Sequence, residues 1–326
     1  MTALWQLVTA LVAPFLLFSL STSSPSFLDI PLQRERPYPK SVLRVSARTR
    51  DDSDRLTLSY SHAFDPPSEP VPMLRDKDGS YSGSIPTPEE GQLLRYTVAA
   101  IDVNGNTTTS TGGTVVTHAA EEGSTNLPIL HLFLENAADL EPARAGARTR
   151  AVVFYDDELF HDVAVRRRGQ TSLRWPKPKL KLSFPGRDFP WPDGERRRRV
   201  NLNSFFEEMG EDSYLREPLA AAVLAAEGVT VSRVEHIHLR LNGNFYGLYA
   251  LVEQVDDQFL RRRGLPDGTL FKSTHGELSN LRYDVPRDEL HWAYKKGNRK
   301  NVQSDWDLLK VKFGRETWLI PTPDSS

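Results

Sequence analysis

Three lysines at alternate positions, Lys177, Lys179 and Lys181, are the residues of this sequence best spaced to do chemistry together. They lie in the stretch DVAVRRRGQTSLRWPKPKLKLSF, which begins at Asp162. In an extended strand side chains alternate with period two, so Leu180, Leu182 and Phe184 take one side and the lysines the other. That spacing predicts a row of fixed positive charge on one strand face. Carboxylates follow downstream: Glu211 and Glu217 near the start of a helical pattern, and Glu253 at the end of LRLNGNFYGLYALVEQVDDQFL. Arg168 closes the run Arg166–Arg168, and two further runs occur at Arg196–Arg199 and Arg261–Arg263. Each feature has a plain structural use as well. Arginine runs serve as solvated faces or local ion pairs, and a carboxylate such as Glu253 is favourable ahead of a helix N-terminus. The eight histidines are scattered. His236 and His238 alternate along a strand edge and do not form a zinc motif. Neither a Walker loop nor a G-x-S-x-G elbow occurs.

The elements that must position these groups are legible in outline. With 326 residues, 39% of them hydrophobic and 26% charged, the chain has material for about two domains. A net charge of -2 supplies no global field for nucleic acid, which is not expected as a partner. The apolar run Leu4–Leu20, followed by small polar residues, reads as a signal peptide over residues 1–26, although no Lys or Arg precedes it. It is shorter than the ~20 residues of a spanning helix, so no stable transmembrane anchor is expected. The absence of cysteine excludes disulfides and thiolate metal sites. Residues 27–118 read as a Pro-rich linker and a small β-sandwich of fibronectin-III or immunoglobulin type, with Tyr96, Val98 and Ala100 facing inward. The sequon Asn106-Thr107-Thr108 falls on a turn there. The polar stretch His118–Asn126 separates this module from a second domain over residues 119–326.

In that second domain LPILHLFL and RAVVFYDDELF are expected as two strands. Asp212 or Ser213 is expected to cap a helix with an apolar face of Leu215, Leu219, Ala222 and Val223, Pro218 marking its first turn and Gly228 its end. Asn242-Gly243 is the dipeptide favoured by a two-residue type I′ hairpin turn. Asp256 is placed at the start of a short helix closed by Gly264.

In order, VRRRGQTSLRWPKPKLKLSF, DSYLREPLAAAVLAAEGV, LNGNFYGLYALVEQVDDQFL and LFKS resemble the spore coat protein H (CotH) kinase family. The resemblance covers roughly Leu127 to Leu309, and its strength lies in the order of the motifs. It implies an α+β chain in which the β-sandwich precedes an atypical protein-kinase-like domain, an N-lobe and the start of a C-lobe. It further implies ATP with Mg²⁺, and transfer of phosphate to Ser/Thr hydroxyls of extracellular or coat proteins by a secreted or surface protein. Kinases hold nucleotide phosphates with a strand lysine that is paired to a helix glutamate. On that basis Lys177, which follows Pro176 as in the family's Pro-Lys pattern, is the first phosphate-binding candidate and Lys181 the second. Arg168 is a further phosphate contact, Glu217 or Glu211 the helix carboxylate, and Glu253 with Gln254 the hinge, approached by Tyr249–Val252. Family members carry a Trp-Asp-x-Asp tract well downstream of the hinge. Here Asp305, Trp306 and Asp307 are followed by Leu309 where the second aspartate would stand. The chain is therefore expected to be inactive alone, as a fragment incomplete at its C-terminus or a pseudokinase. A non-catalytic surface-binding, adhesion or structural coat protein is the alternative, with a carbohydrate-associated module behind it.

Overall fold

The computed structural model describes residues 27–29, 36–49, 55–110, 112–141, 144, 146–206, 214–266, 268–273 and 294–296. The Leu4–Leu20 run, Glu211 to Ser213 and the Asp305–Leu309 stretch lie outside the described residues. The chain divides into two compact units, Met1–Thr87 with Leu94–Val115, and Pro88–Leu93 with Val116–Ser326.

The first unit is built from β1 (Phe27–Asp29), β2 (Val42–Thr49), β3 (Arg55–His62), β4 (Val71–Pro72), β5 (Leu74–Arg75), β6 (Tyr81–Pro86), β7 (Leu93–Ile101), β8 (Thr107–Thr109) and β9 (Thr114–Val116). One sheet runs β1-β2-β6-β5 and a second runs β4-β3-β7-β8, with β9 also paired to β7. Alternate residues of both sheets enter one core: Leu43, Val45 and Ala47 from β2, Leu56 and Leu58 from β3, and Tyr96, Val98 and Ala100 from β7. The period-two pattern read along this stretch thus sorts buried from exposed residues as a two-faced sheet requires.

The second unit contains β10 (Ile129–Leu134), β11 (Arg148–Tyr155), β12 (Glu158–Arg167), β13 (Leu180–Ser183), β14 (Phe189–Pro190), β15 (Arg196–Arg197), β16 (Arg199–Asn203), β17 (Val234–Leu241), β18 (Asn244–Glu253), β19 (Phe271–Ser273) and β20 (Tyr294–Lys296). Seven of these strands close into a barrel in the order β10-β11-β12-β13-β16-β18-β17. Six contacts around the ring are antiparallel; the seam, β10 against β17, is parallel, with Ile129 opposite His238 and Leu132 opposite Leu241. Inside lie Val163 and Val165 of β12, Leu180 and Leu182 of β13, Val200 and Leu202 of β16, and Tyr249 and Leu251 of β18.

Among the described residues there are two α-helices, α1 (Arg216–Ala226) and α2 (Asp257–Arg262). The described chain is β-rich, with less helix than the α+β expectation. Pro218 falls in the first turn of α1, where its missing N–H costs nothing, and Gly228 follows the helix with φ +77°. The expected apolar face, however, is not covered: Leu215, Leu219 and Val223 are exposed and no residue of α1 is buried. The period marked a helix correctly, but the described residues supply no core against that side. A second departure concerns RAVVFYDDELF, which is two strands. Asp156 and Asp157 adopt φ +49° and +56° and turn the chain in two residues, pairing Tyr155 with Glu158.

Asn242 and Gly243, at φ +46° and +83°, form the expected tight turn between β17 and β18. The turn also fastens the seam. The Asn242 N–H donates to the Leu132 carbonyl at 2.9 Å, and its Oδ1 accepts from the Leu134 N–H at 2.8 Å. Asn242→Ala forfeits both the tolerance for positive φ and the acceptor for a strand N–H, and is expected to cost about 2–4 kcal/mol in urea unfolding. Asn242→Gly keeps the turn and should lose about half as much. Equal midpoints for wild type and the alanine variant would remove the seam role of this residue.

Candidate functional site

The outer face of the barrel is where its polar chemistry collects. On β12, β13 and β16 the residues between the core positions are Ala164 and Arg166, Lys181 and Ser183, and Asn201 and Asn203. Register sets Arg166 opposite Lys181, and Lys181 opposite Asn201. Lys181 Nζ donates to Gln254 Oε1 at 2.9 Å, which brings the lysine to the segment just beyond Glu253. Its ammonium is partly desolvated and lies among Arg166, Arg199 and Arg168, so that burial first and like charges second pull its pKa down to about 8.

Next to it Arg168 Nη1 donates to Asn203 Oδ1 at 2.9 Å, and Asn203 Nδ2 donates to Glu217 Oε1 at 2.5 Å. A strand cation is thereby connected to a helix carboxylate through one amide. The residue just past β12 and the end of β16 supply the first two groups, and the first turn of α1 the third. Burial lowers the Arg168 pKa, and Glu217 offsets part of that effect. Asn201, 3% exposed, has a side-chain oxygen with no partner. Beside this polar row Phe205, Ala250 and Val252 form a small apolar cluster on the same outer face, with Tyr214, Val234 and Leu248 packed against it.

Residues 165–313 match the family model described as CotH kinase protein. Over these residues, a little under half of the chain, the sequence is similar to the CotH kinase family. Within the set of curated proteins, the inner spore coat protein H of Bacillus subtilis (strain 168) is 26% identical over 110 residues, which covers 32% of this chain and 30% of that protein. The chain thus aligns with under a third of that relative's length. Two solved structures from Listeria monocytogenes give loose matches. The cycloalternan-forming enzyme with a pentasaccharide substrate matches at 11% identity and TM-score 0.22. An uncharacterised protein from strain EGD-e with glucose, magnesium and calcium matches at 10% and 0.21. Each covers 50% of this chain and 14% of its own, and likenesses at those scores carry no weight for fold or ligand.

The barrel unit separates the three lysines that the sequence put on one face. β13 begins only at Leu180, so the alternation does not extend back through Pro178. Lys177 turns to the Tyr249 ring, 4.8 Å from its centroid, and donates to the Leu248 carbonyl at 2.8 Å. Tyr249 belongs to the barrel core, whereas Lys181 is outside it. Gly247, at φ +137°, makes the room, since a Cβ there would stand 3.1 Å from Lys177 Nζ. Burial lowers the Lys177 pKa. Lys179 lies over Trp175, 4.9 Å from its centroid. Of the two lysine candidates, Lys181 is the one beside Arg168 and the post-strand segment.

Glu253 occupies a different setting from the hinge acceptor that the family resemblance implies. It is 1% exposed. Its Oε1 accepts from Arg262 Nε at 2.9 Å, its Oε2 from Arg263 Nη2 at 2.7 Å, and Arg197 Nε stands 3.4 Å away. The backbone is engaged too, because β18 is paired on both sides, with β16 and with β17, up to this end of the strand. Asp256 caps α2 by accepting from the Gln258 and Phe259 N–H groups. The acidic segment after the hairpin therefore joins a helix to the barrel through ion pairs. The sequence showed the arginine runs but not their convergence, because Arg197 and Arg262 are 65 positions apart in the chain. Among the described residues no group of three His, Asp or Glu side chains could hold a metal ion.

Two outcomes are expected. Glu253→Gln removes the buried carboxylate that accepts from Arg262 and Arg263 beside Arg197 and should destabilise the chain by about 3–5 kcal/mol in urea unfolding, where a loss below 1 kcal/mol would remove the hub role. For Lys181 the folded pKa of about 8 lies below the ordinary 10.5, so the unfolded chain binds more protons between those values. Wild-type stability relative to Lys181→Met should accordingly be lowest below pH 8 and rise from pH 8 to 10.5. A flat difference across that range in paired urea titrations would contradict the shift.

Proposed function

We propose that the outer barrel face around Lys181 binds the phosphates of a nucleotide in a CotH-type, kinase-like domain, with the parent activity being transfer of phosphate from ATP to Ser/Thr hydroxyls of coat or extracellular proteins. The observation that carries this reading is the closeness of Lys181 to Arg168, which the Asn203 amide joins to Glu217. Phosphoryl transfer is catalysed mainly by positioning and by neutralising charge. Arg168 supplies a held guanidinium, and Lys181 supplies a partly desolvated ammonium whose attraction for an anion is stronger than in water. Lys177 supports this face from the core side of the barrel, and Glu253 anchors the segment that carries Gln254. Mg²⁺ belongs to the family chemistry, but the described residues provide no cluster fit to hold it, so no step is derived through it.

The coat setting of this reading comes from the name of the curated relative, and secretion from the Leu4–Leu20 run. The N-terminal two-sheet unit would act as a fibronectin-III-like spacer. A second reading, a non-catalytic surface or coat protein, draws on the uncovered apolar side of α1, where Leu219 and Val223 are more than half exposed.

Thermal-shift and calorimetric titrations with Mg·ATP test the nucleotide site. Wild type should be stabilised and bind, Lys181→Ala and Arg168→Ala should each lose about tenfold to a hundredfold in affinity, and Lys177→Ala should bind with a smaller loss. Absence of binding to wild type, or undiminished binding in both Lys181→Ala and Arg168→Ala, would overturn the assignment and leave the coat-protein reading.

A further inference from the structure

Beyond the nucleotide reading, we infer that the cavity on the outer faces of β11, β12, β13 and β16, walled by Arg148, Arg166 and Arg199 with Lys181 at its base, is a second anion site that takes a phosphoryl group. The cavity measures about 480 Å³, and Ser183 also lines it. Its composition follows from register. Arg148 of β11 is directly opposite Arg166 of β12, Arg166 is opposite Lys181 of β13, and Ser183 is opposite Arg199 of β16. Like charges at opposed positions of neighbouring strands repel, yet the ladder holds two such pairs in succession. Among the described residues Arg166 and Lys181 donate to neutral acceptors, the Arg167 carbonyl at 3.0 Å and Gln254 Oε1 at 2.9 Å, rather than to carboxylates. Arg199 alone has a carboxylate in range, Asp256 Oδ2 at 3.6 Å. On a chain of net charge -2, four cations around one cavity with a single carboxylate near them are a local arrangement that a bound anion would relieve. The depressed Lys181 ammonium agrees with that imbalance.

A phosphoryl group suits the cavity better than a lone carboxylate does. Guanidinium forks bind phosphate oxygens through paired N–H donors, and a phosphomonoester carries close to two negative charges at pH 7. The Ser183 hydroxyl can donate to a remaining oxygen. The group can come from a phosphorylated side chain on a protein or from a free polyphosphate, both of which present the same oxygens. The site shares only Lys181 with the nucleotide face; Arg148 and Arg166 take no part in that reading, and this inference does not require it. If both hold, the second site would retain a phosphorylated protein beside the transfer site.

Calorimetric titration of the full chain with inorganic pyrophosphate, with an O-phosphoserine peptide and with its unphosphorylated form is the test. Pyrophosphate or the phosphopeptide should bind, and binding should weaken at least about tenfold in each of Arg148→Gln and Arg166→Gln. Arg→Lys variants should recover only part of the loss, because the charge remains but the fork is gone. Preference for the phosphopeptide would identify a protein-borne group, and preference for pyrophosphate a free one. Circular dichroism and urea midpoints like those of wild type would show the variants folded. No binding of either probe, binding unchanged in the double variant Arg148→Gln/Arg166→Gln, or equal binding of citrate would overturn the proposal. Loss of Mg·ATP affinity by the same factor in that double variant would overturn it as a second site, whereas intact Mg·ATP binding with lost pyrophosphate binding would support it. Failure of Mg·ATP to bind wild type while pyrophosphate binds would sink the nucleotide reading alone.

Discussion

Closure of the second unit's sheet into a barrel is the constraint on which the rest of that unit depends. A closed ring has no free strand edges and gives each strand residue one of two fates, the packed interior or the outer surface. The parallel seam between β10 and β17 completes the ring, and Asn242 ties the hairpin turn to β10 at the same place. Once the ring is closed, a single residue step along a strand moves a side chain from core to surface. Arg166, Arg167 and Arg168 show the consequence. The middle one is 2% exposed and donates to the carbonyls of Leu140, Leu173 and Trp175, while its neighbours point outward to the cation-rich face.

Burial of so many guanidiniums is tolerable because most of their donors meet carbonyl or carboxylate oxygens, Arg197 Nε being a buried donor that lacks a hydrogen bond. Arg167 uses backbone carbonyls at chain crossings. Arg197, 0% exposed, is held by Asp193 and stands over the Trp191 ring. Glu253 gathers Arg197, Arg262 and Arg263, so that α2 and the barrel end are joined by charge in a region of low dielectric. Such a cluster contributes little net stability compared with an apolar replacement, but removing one member leaves an unpaired charge, so it fixes one arrangement of helix and strand. The direction of the chain beyond the barrel is set there.

The outer face has the opposite electrostatic character. Cations are brought together by register with few carboxylates to balance them, and the amide of Asn203 carries the influence of Glu217 to Arg168. The match to the CotH kinase family model spans residues 165–313, which include Arg166, Lys181 and Arg199 of this face and the segment after it. Cations set side by side with few carboxylates near them are the arrangement on which both the nucleotide reading and the adjoining phosphoryl site are argued.

The sequence by itself determined the local grammar. Alternation in Leu93–Ile101 and at Ile237, Leu239 and Leu241 marked strands, Asn242-Gly243 specified a turn because both positions need positive φ, Asp256 and Gly264 bracketed α2, and the order of motifs pointed to the family whose model matches residues 165–313. These features are legible because each rests on the conformational preference of one residue or a short run. The hairpin at Asp156-Asp157 was not, since Asp is a weaker signal for positive φ than Asn-Gly. Tertiary structure alone decided that the sheet closes, that Lys177 turns to Tyr249 while Lys181 faces outward, that Glu253 is a buried ion-pair centre, and that α1 has no buried residue. Spacing along a chain reports which residues share a side, and only while the strand persists; which sides meet depends on contacts between residues far apart in sequence, whose pairing no local preference encodes.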